Sequence, residues 1–413
     1  MKILMVNKFH YIKGGSETYY FALKRLLESE GHEVLDFSMK DEKNFPTPYA
    51  DYFVDNIDYN TEQNLLSKMK MGMNIIYSFE AKEKLEQLII DTKPDIAHLH
   101  IFQHQLSPSI LDTFKKYNIP VVYTAHDLKM ICPNYKMYIP GRNGEAGRIC
   151  EDCIGGKYMN CLKNKCIKDS SVKSLINVSE AYFHKWKHTY DSIDKIITPS
   201  AFYREKFIEF GVAPERVVHI PNFLDVEKPN INISNDREKY FLYFGRLSEE
   251  KGIFTLVKAM KGLDTLLYVV GTGPIKEDLE KYIEDNEIKN VQLLGFKKGQ
   301  ELTDIVGNSK AVILPSEWYE NGPYSAIEAL QLGRPLIGSN LGGIPELING
   351  NGYIFSHGNV TKLHDCLNEI DNISEYEYQK MSNRSERIFN EYYIGKKHYF
   401  DLNAIYKSVF KER

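Results

Sequence analysis

Residues 240–252 read YFLYFGRLSEEKG, and this stretch decides the fold. Five apolar or aromatic residues stop at Gly245, and a polar loop carrying Arg246 and Lys251 then runs into Gly252. A short run of this kind, bounded by glycine, reads as a strand buried on both faces, as in a parallel sheet. The same unit recurs downstream, with strands at 266–270, 291–294, 311–314 and 335–338. Helical patterns follow them, such as 275–286 and 325–332. Upstream, strands read at 3–6, 32–37, 96–100, 121–124, 196–198 and 217–220. Between the first two, residues 17–30 place Tyr20, Leu23, Leu26 and Leu27 on one helical face, and Gly31 stands where a C-cap belongs. Strands alternating with helices imply doubly wound α/β architecture. The polar stretch 225–238 divides it into two Rossmann-like domains, 1–228 and 236–390.

Composition narrows the function classes. Of 413 residues, 43% are hydrophobic and 26% charged, which is globular rather than disordered. Fifty-two basic against 56 acidic residues leave a net charge of −4, no basis for nucleic-acid binding. The N-terminus lacks the apolar region and cleavage site of a signal peptide, and no run reaches the ~18 apolar residues of a membrane span. A cytoplasmic protein is expected, with its six cysteines reduced unless a metal takes them.

Chemistry then falls to the strand-to-helix loops. Lys13-Gly14-Gly15-Ser16-Glu17 would let backbone N–H groups approach an anion at a helix N-terminus, although a plain tight turn reads the same way. It matches neither the dinucleotide nor the P-loop glycine pattern. Arg246 and Lys251 offer a guanidinium fork and a point charge, suited to a diphosphate; the plainer reading is a solvated charged loop. Residues 315–328, PSEWYENGPYSAIE, place Glu320 before a helix and Glu328 within it. Such carboxylates can accept from sugar hydroxyls, or simply stabilise the helix N-terminus.

Together with Thr124-Ala125-His126-Asp127, Pro221-Asn222-Phe223-Leu224-Asp225, Gly271-Thr272-Gly273-Pro274 and Gly342-Gly343-Ile344-Pro345-Glu346, these loops occur in one order over nearly the whole chain. The set resembles the retaining glycosyltransferase family 4, of bacterial surface-polysaccharide type; Glu320 and Glu328 form its Glu-x7-Glu motif. The resemblance implies the GT-B fold, two Rossmann-like doubly wound parallel-sheet domains facing across a cleft. It implies a hexosyltransferase that moves a sugar from a nucleotide-sugar, most often a UDP- or GDP-sugar, to a glycan or lipid-linked acceptor. Carried over by position, His126, Arg246, Lys251 and Glu320 are the catalytic candidates. Gly15, Phe296, Pro323, Tyr324, Ser325 and Glu328 join Arg246 and Lys251 in holding the donor. Arg246 and Lys251 would neutralise the leaving diphosphate without a catalytic metal, Glu320 would bind donor-sugar hydroxyls, and Glu328 the ribose. Asp127 would orient His126. A C-terminal helix, 392–413, is expected to pack back on the first domain.

One segment falls outside the family pattern. Between residues 130 and 170 lie Cys132, Cys150, Cys153, Cys161 and Cys166. Cys150-x2-Cys153 with Cys161 and Cys166 is a candidate structural zinc site, with Cys132 a substitute ligand; reduced thiols or an iron–sulfur cluster are the alternatives. Residues 129–206 hold 14 basic against 8 acidic residues, Lys163, Lys165, Lys168 and Lys173 foremost. That suggests weak peripheral association with the inner face of the membrane, or merely a solvated face. A sugar phosphorylase, a nucleotide-sugar epimerase and a non-catalytic scaffold on the same fold are the competing functional readings.

Overall fold

The computed structural model describes residues 1–56, 72–142, 146–225, 228–232 and 240–411. The expected linker, 225–238, lies largely outside them. Residues 1–137, 151–220 and 398–413 form one compact unit, and residues 138–150 with 221–397 form the other.

In the first unit, β1 (Lys2–Val6), β2 (Glu33–Phe37), β3 (Ile96–Leu99) and β4 (Val121–Thr124) begin a sheet. The short strands β5 (Tyr138–Ile139) and β6 (Arg148–Ile149) follow as an antiparallel hairpin that belongs to the second unit. With β7 (Lys195–Thr198) and β8 (Val217–His219), the first sheet has the order β2-β1-β3-β4-β7-β8, parallel throughout. Helix Gly15–Ser29 starts after β1 and ends where Gly31 takes φ 81°, a left-handed turn that glycine enters freely. Helix Gly395–Lys411 brings Leu402, Tyr406 and Val409 fully into this unit's interior.

The second sheet contains β9 (Tyr240–Phe244), β10 (Leu266–Val270), β11 (Val291–Gly295), β12 (Ala311–Leu314), β13 (Leu336–Ser339) and β14 (Gly352–Phe355). Its order is β11-β10-β9-β12-β13-β14, again parallel. Alternate residues of β9 face opposite ways. Tyr240, Leu242 and Phe244 pack with Ala326, Ile327 and Leu330 of helix Tyr324–Gln331. Phe241 and Tyr243 pack with Leu256 of helix Ile253–Ala259 and Leu363 of helix Val360–Asn372. Both faces of the sheet are therefore covered, as the unbroken apolar strands require. Strand order reverses between β9 and β12, so the loops leaving their carboxyl ends flank a crevice of the kind that binds ligands in such sheets.

Candidate functional site

The loop after β9 is held in place by its neighbours. Gly252 takes φ 66°, and a Cβ there would lie 2.0 Å from the carbonyl oxygen of Pro315, in the loop after β12. Glycine is the residue that permits this approach. Glu317 N donates to Glu250 O at 2.8 Å, tying the same two loops. On the other side, Leu247 N donates to Thr272 O at 3.0 Å, and a Cβ on Gly271 would sit 1.8 Å from Gly245 O.

Glu320 is 6% exposed, and one of its oxygens carries three hydrogen bonds. Oε1 accepts from Lys251 Nζ at 2.6 Å, Ser316 Oγ at 2.6 Å and Trp318 Nε1 at 2.9 Å. Burial alone would push the carboxyl up, but the Lys251 charge and these donors outweigh it and hold the group below its usual range. Lys251 also lies over the Trp318 ring, 5.3 Å from its centroid. Arg246 is exposed, and its guanidinium makes no ion pair among the described residues. The site thus offers one cation fixed by a carboxylate and one without a counter-charge among the described residues.

Pro323 is the N-cap of helix Tyr324–Gln331, which places Tyr324 and Ser325 in the first turn and Glu328 in the second. Glu328 has no such donors among the described residues, and burial raises its carboxyl to about 7. Arg246, Lys251, Glu320, Pro323, Tyr324, Ser325 and Glu328 are therefore gathered on the loops leaving two adjacent central strands, β9 and β12. Phe296 is set apart from them: it follows the edge strand β11 and is 69% exposed.

In the first unit Gly15 opens the helix after β1, and His126 follows β4. The buried Glu17 carboxylate accepts from Ser16 Oγ at 3.0 Å and Asn7 Nδ2 at 3.5 Å, and burial raises its pKa. Lys8 is lowered to about 8, first by burial and then by Lys13. The ring partner of His126 is not Asp127, whose Oδ1 accepts from the backbone of Lys129 at 2.9 Å. It is His100, with Nδ1 3.1 Å from His126 Nε2 and the two rings stacked at 5.4 Å. Sequence reading passed over His100, although the spacing His98-Leu99-His100 at the end of an apolar strand was visible.

The model of glycosyltransferase family 4 matches residues 13–228, more than half of the chain, and that of the group 1 glycosyl transferases matches residues 226–387. The chain belongs to glycosyltransferase family 4. An uncharacterized 42.6 kDa protein in the cps region of Klebsiella pneumoniae is 25% identical over 365 residues, 84% of this chain and 87% of its own length. The amylovoran biosynthesis glycosyltransferase AmsK of Erwinia amylovora is 26% identical over 183 residues, 41% of this chain and 45% of its own. Anabaena Alr3699/HepE, solved in complex with UDP, superposes with a TM-score of 0.69 at 16% identity, covering 99% of this chain and 100% of that one. Two parallel-sheet units and this likeness give the family 4 chain the GT-B fold.

The cysteine segment of this glycosyltransferase departs from the metal expectation. Among the described residues, no three His, Cys, Asp or Glu side chains are grouped to hold a metal ion. Cys150 falls in the second unit and is half-exposed, whereas Cys153, Cys161 and Cys166 are buried in the first together with Cys132. None of them forms a disulfide among the described residues. A hydrogen bond with Cys166, followed by burial and the proximity of Cys132 and Cys153, drives the Cys161 pKa far up. The Cys166 hydrogen bond, burial and the neighbouring sulfurs thus favour the neutral form of Cys161.

A second arrangement escaped the sequence altogether. Glu249, in the Arg246–Lys251 loop, accepts on Oε1 from Gly141 N at 2.8 Å, Gly147 N at 3.1 Å and Tyr138 Oη at 3.3 Å. The β5–β6 hairpin of the cysteine-rich insertion is thereby fastened to the loop that bears the two candidate phosphate-binding cations.

Proposed function

We propose that this family 4 glycosyltransferase moves a hexose from a nucleotide-sugar, a UDP-sugar in the first instance, to an acceptor hydroxyl with retention of anomeric configuration. The observation that carries the reading is the pairing of Lys251 with Glu320 beside the exposed Arg246, at the reversal of strand order. A diphosphate entering there meets Arg246 directly and recruits Lys251, while Glu320 turns its second oxygen to a sugar hydroxyl. Glu328 accepts from the ribose, and Tyr324 and Ser325 present backbone N–H groups at the start of their helix. In the transfer, the bond from the anomeric carbon to the phosphate oxygen breaks. The acceptor oxygen bonds to the same face of that carbon, and its proton passes to the departing phosphate. Arg246 and Lys251 stabilise the charge that grows on the diphosphate, the part of the reaction where fixed cations do most. HepE complexes with UDP and with UDP-glucose support the choice of donor base.

Surface polysaccharide or glycolipid assembly is the setting proposed, in keeping with the amylovoran and cps-region relatives. No helix among the described residues is long and apolar enough to cross a membrane. Helix Ser171–Trp186 nevertheless exposes Val172, Leu175, Tyr182 and Trp186, spaced as one stripe, with Trp186 78% exposed. Between residues 154 and 190, seven lysines stand against two carboxylates, and one of those, Glu180, is buried in an ion pair with Lys129. An apolar stripe beside basic side chains suits an anionic bilayer surface at the cytoplasmic face. Cosedimentation should favour anionic over neutral vesicles at low salt, and equal recovery with both removes the membrane reading.

The donor is tested by thermal shift with UDP-, GDP-, ADP- and CMP-sugars, following slow hydrolysis of each one that binds. A bound ligand raises the melting temperature by mass action. Stabilisation by one nucleotide-sugar class with slow release of its sugar is the expected result. Stabilisation by none of them overturns the donor assignment.

A further inference from the structure

His100 follows β3 and is fully buried. Its ring lies between two other imidazoles, stacked on His98 at 4.6 Å and on His126 at 5.4 Å, both at an interplanar angle of 23°. Tyr20 and Tyr19 approach it at 5.2 and 5.7 Å. His100 Nδ1 is 3.1 Å from His126 Nε2, and among the described residues the buried His100 Nε2 has no hydrogen-bond partner. Neighbouring polar groups are already engaged with one another. His98 bonds Tyr406 Oη and Thr124 Oγ1, each at 2.7 Å, and Tyr19 Oη bonds His398 Nε2 at 2.9 Å.

A hydrogen bond between two neutral imidazoles requires one donor and one acceptor, and each ring carries only one N–H. Were His126 the donor, His100 would hold its hydrogen on Nε2 and strand an N–H in a site with no acceptor. Stranding a buried donor forfeits its whole solvation by water. With the hydrogen on Nδ1, His100 instead leaves only a bare lone pair unmatched, and orphaned buried N–H groups are the rarer of the two defects in proteins. Burial keeps the pair uncharged: His126 is lowered to about 3, and His100 well below its ordinary value.

We infer that His100 is a positioning residue that donates from Nδ1 to His126 Nε2 and fixes His126 as its Nδ1–H tautomer. The only basic lone pair of His126 is then occupied. Toward a bound ligand, His126 acts as a hydrogen-bond donor to an oxygen, such as a donor-sugar hydroxyl, and not as a proton acceptor. The tautomer is a property of the unliganded chain. Its link to the donor sugar rests on the proposed function.

The two parts are measured separately. In the full chain labelled with 15N-histidine, His126 is assigned by the resonances missing from His126→Gln, and two-bond 1H–15N correlations report which nitrogen bears hydrogen. Hydrogen on Nδ1 at neutral pH is expected; hydrogen on Nε2 in the wild-type protein overturns the inference, whatever any variant does. His100→Asn keeps an amide donor near the Nδ1 position and should retain the tautomer, whereas His100→Leu should shift His126 toward Nε2–H. UDP-glucose affinity should fall about tenfold in His100→Leu and recover to within about threefold of wild type in His100→Asn. Equal losses in both variants would show that His100 acts by filling space. If wild-type chain fails to bind UDP-glucose, the donor assignment falls, and the tautomer is still decided by the wild-type spectrum.

Discussion

Glu320 concentrates three hydrogen bonds on one oxygen, and under the proposed function Lys251 serves both this carboxylate and the diphosphate. In Lys251→Ala, the buried carboxylate loses its cation, and the diphosphate site proposed above loses one of its two. The substitution should lower kcat/KM by more than about tenfold, roughly 1.4 kcal/mol or more of transition-state stabilisation. Arg246→Ala, with no internal partner to disturb, should show a similar loss with an unchanged melting temperature. Near-native turnover in both variants would remove them from the phosphate role. Because Lys251 and Glu320 touch, the loss in the double variant with Glu320→Gln should fall well short of the sum of the two single losses.

Glu328 offers a test through pH. Its folded carboxyl titrates near 7, above the ordinary value of 4.5, so the unliganded folded chain keeps a proton that the unfolded chain releases. Its contribution therefore lowers stability as pH climbs from about 4.5 to about 7. Two ribose hydroxyls donating to Glu328, as proposed, favour the ionised form, in which neither oxygen carries a hydrogen, so UDP-glucose should bind more tightly as pH rises toward 7 and then level off. Below 7 the gain approaches tenfold per pH unit. Calorimetry between pH 5.5 and 8 should show that rise in the wild type and a flat profile in Glu328→Gln; equal slopes in the two would take Glu328 off the ribose.

Among elements, the β5–β6 hairpin depends most on a single side chain. Glu249→Ala removes the one acceptor shared by Gly141 N, Gly147 N and Tyr138 Oη, at a cost of about 1–3 kcal/mol. Hydrogen exchange at Gly141 and Gly147 should accelerate, while the amides of β9 stay protected. Protection unchanged at both glycines would show that other contacts hold the hairpin. Helix Ser171–Trp186 carries a comparable dependence, since Lys129 Nζ donates to Glu180 at 2.7 Å and Asn177 at 2.8 Å inside the first unit. Lys129→Met leaves Glu180 buried without a counter-charge, and a loss of about 3–5 kcal/mol in chemical denaturation is expected.

Legibility at this scale followed the physics of each element. Strands β1, β3, β4, β9 and β12 were plain, because strands covered on both faces are uninterrupted apolar runs. β14 (Gly352–Phe355) was missed because it borders the sheet and exposes Ile354, which blurs the run. β5 and β6 have two residues each, too few to show any period. The stretch 392–410 read as one helix, whereas the chain turns at Tyr393–Ile394, where Leu224 pairs with Ile394, and a new helix begins at Gly395. That Arg246, Lys251, Glu320 and Glu328 fall after β9 and β12 was legible from the glycine- and charge-rich stretches that follow those strands. His100 and Glu249 were not, because a histidine ending an apolar strand reads as core and a glutamate in a charged loop reads as solvated.

At the scale of the whole molecule, the chain passes between the two units four times, at 137–138, 150–151, 220–221 and 397–398. A single cut near residue 220 therefore yields no intact unit: residues 1–220 lack the helix that supplies His398 and Tyr406 to the interior of the first. Tyr406 is the partner of His98, and His398 the partner of Tyr19, both fully or almost fully buried. Losing that helix would strand these groups and uncover the face that Leu402, Tyr406 and Val409 occupy. Stranding even one buried polar group costs about 1–3 kcal/mol, and large apolar losses in a core add about 2–5 kcal/mol each. Against a domain stability of about 5–15 kcal/mol, a chain ending at Lys397 should keep a cooperatively folded second unit and lose the first. Denaturation followed by near-ultraviolet circular dichroism should then show one transition with diminished amplitude, and proteolysis should consume residues 1–137 first. A first unit that still melts cooperatively without residues 398–413 would mean that its sheet and remaining helices are sufficient, and that the closing helix serves the position of the histidine cluster rather than the fold.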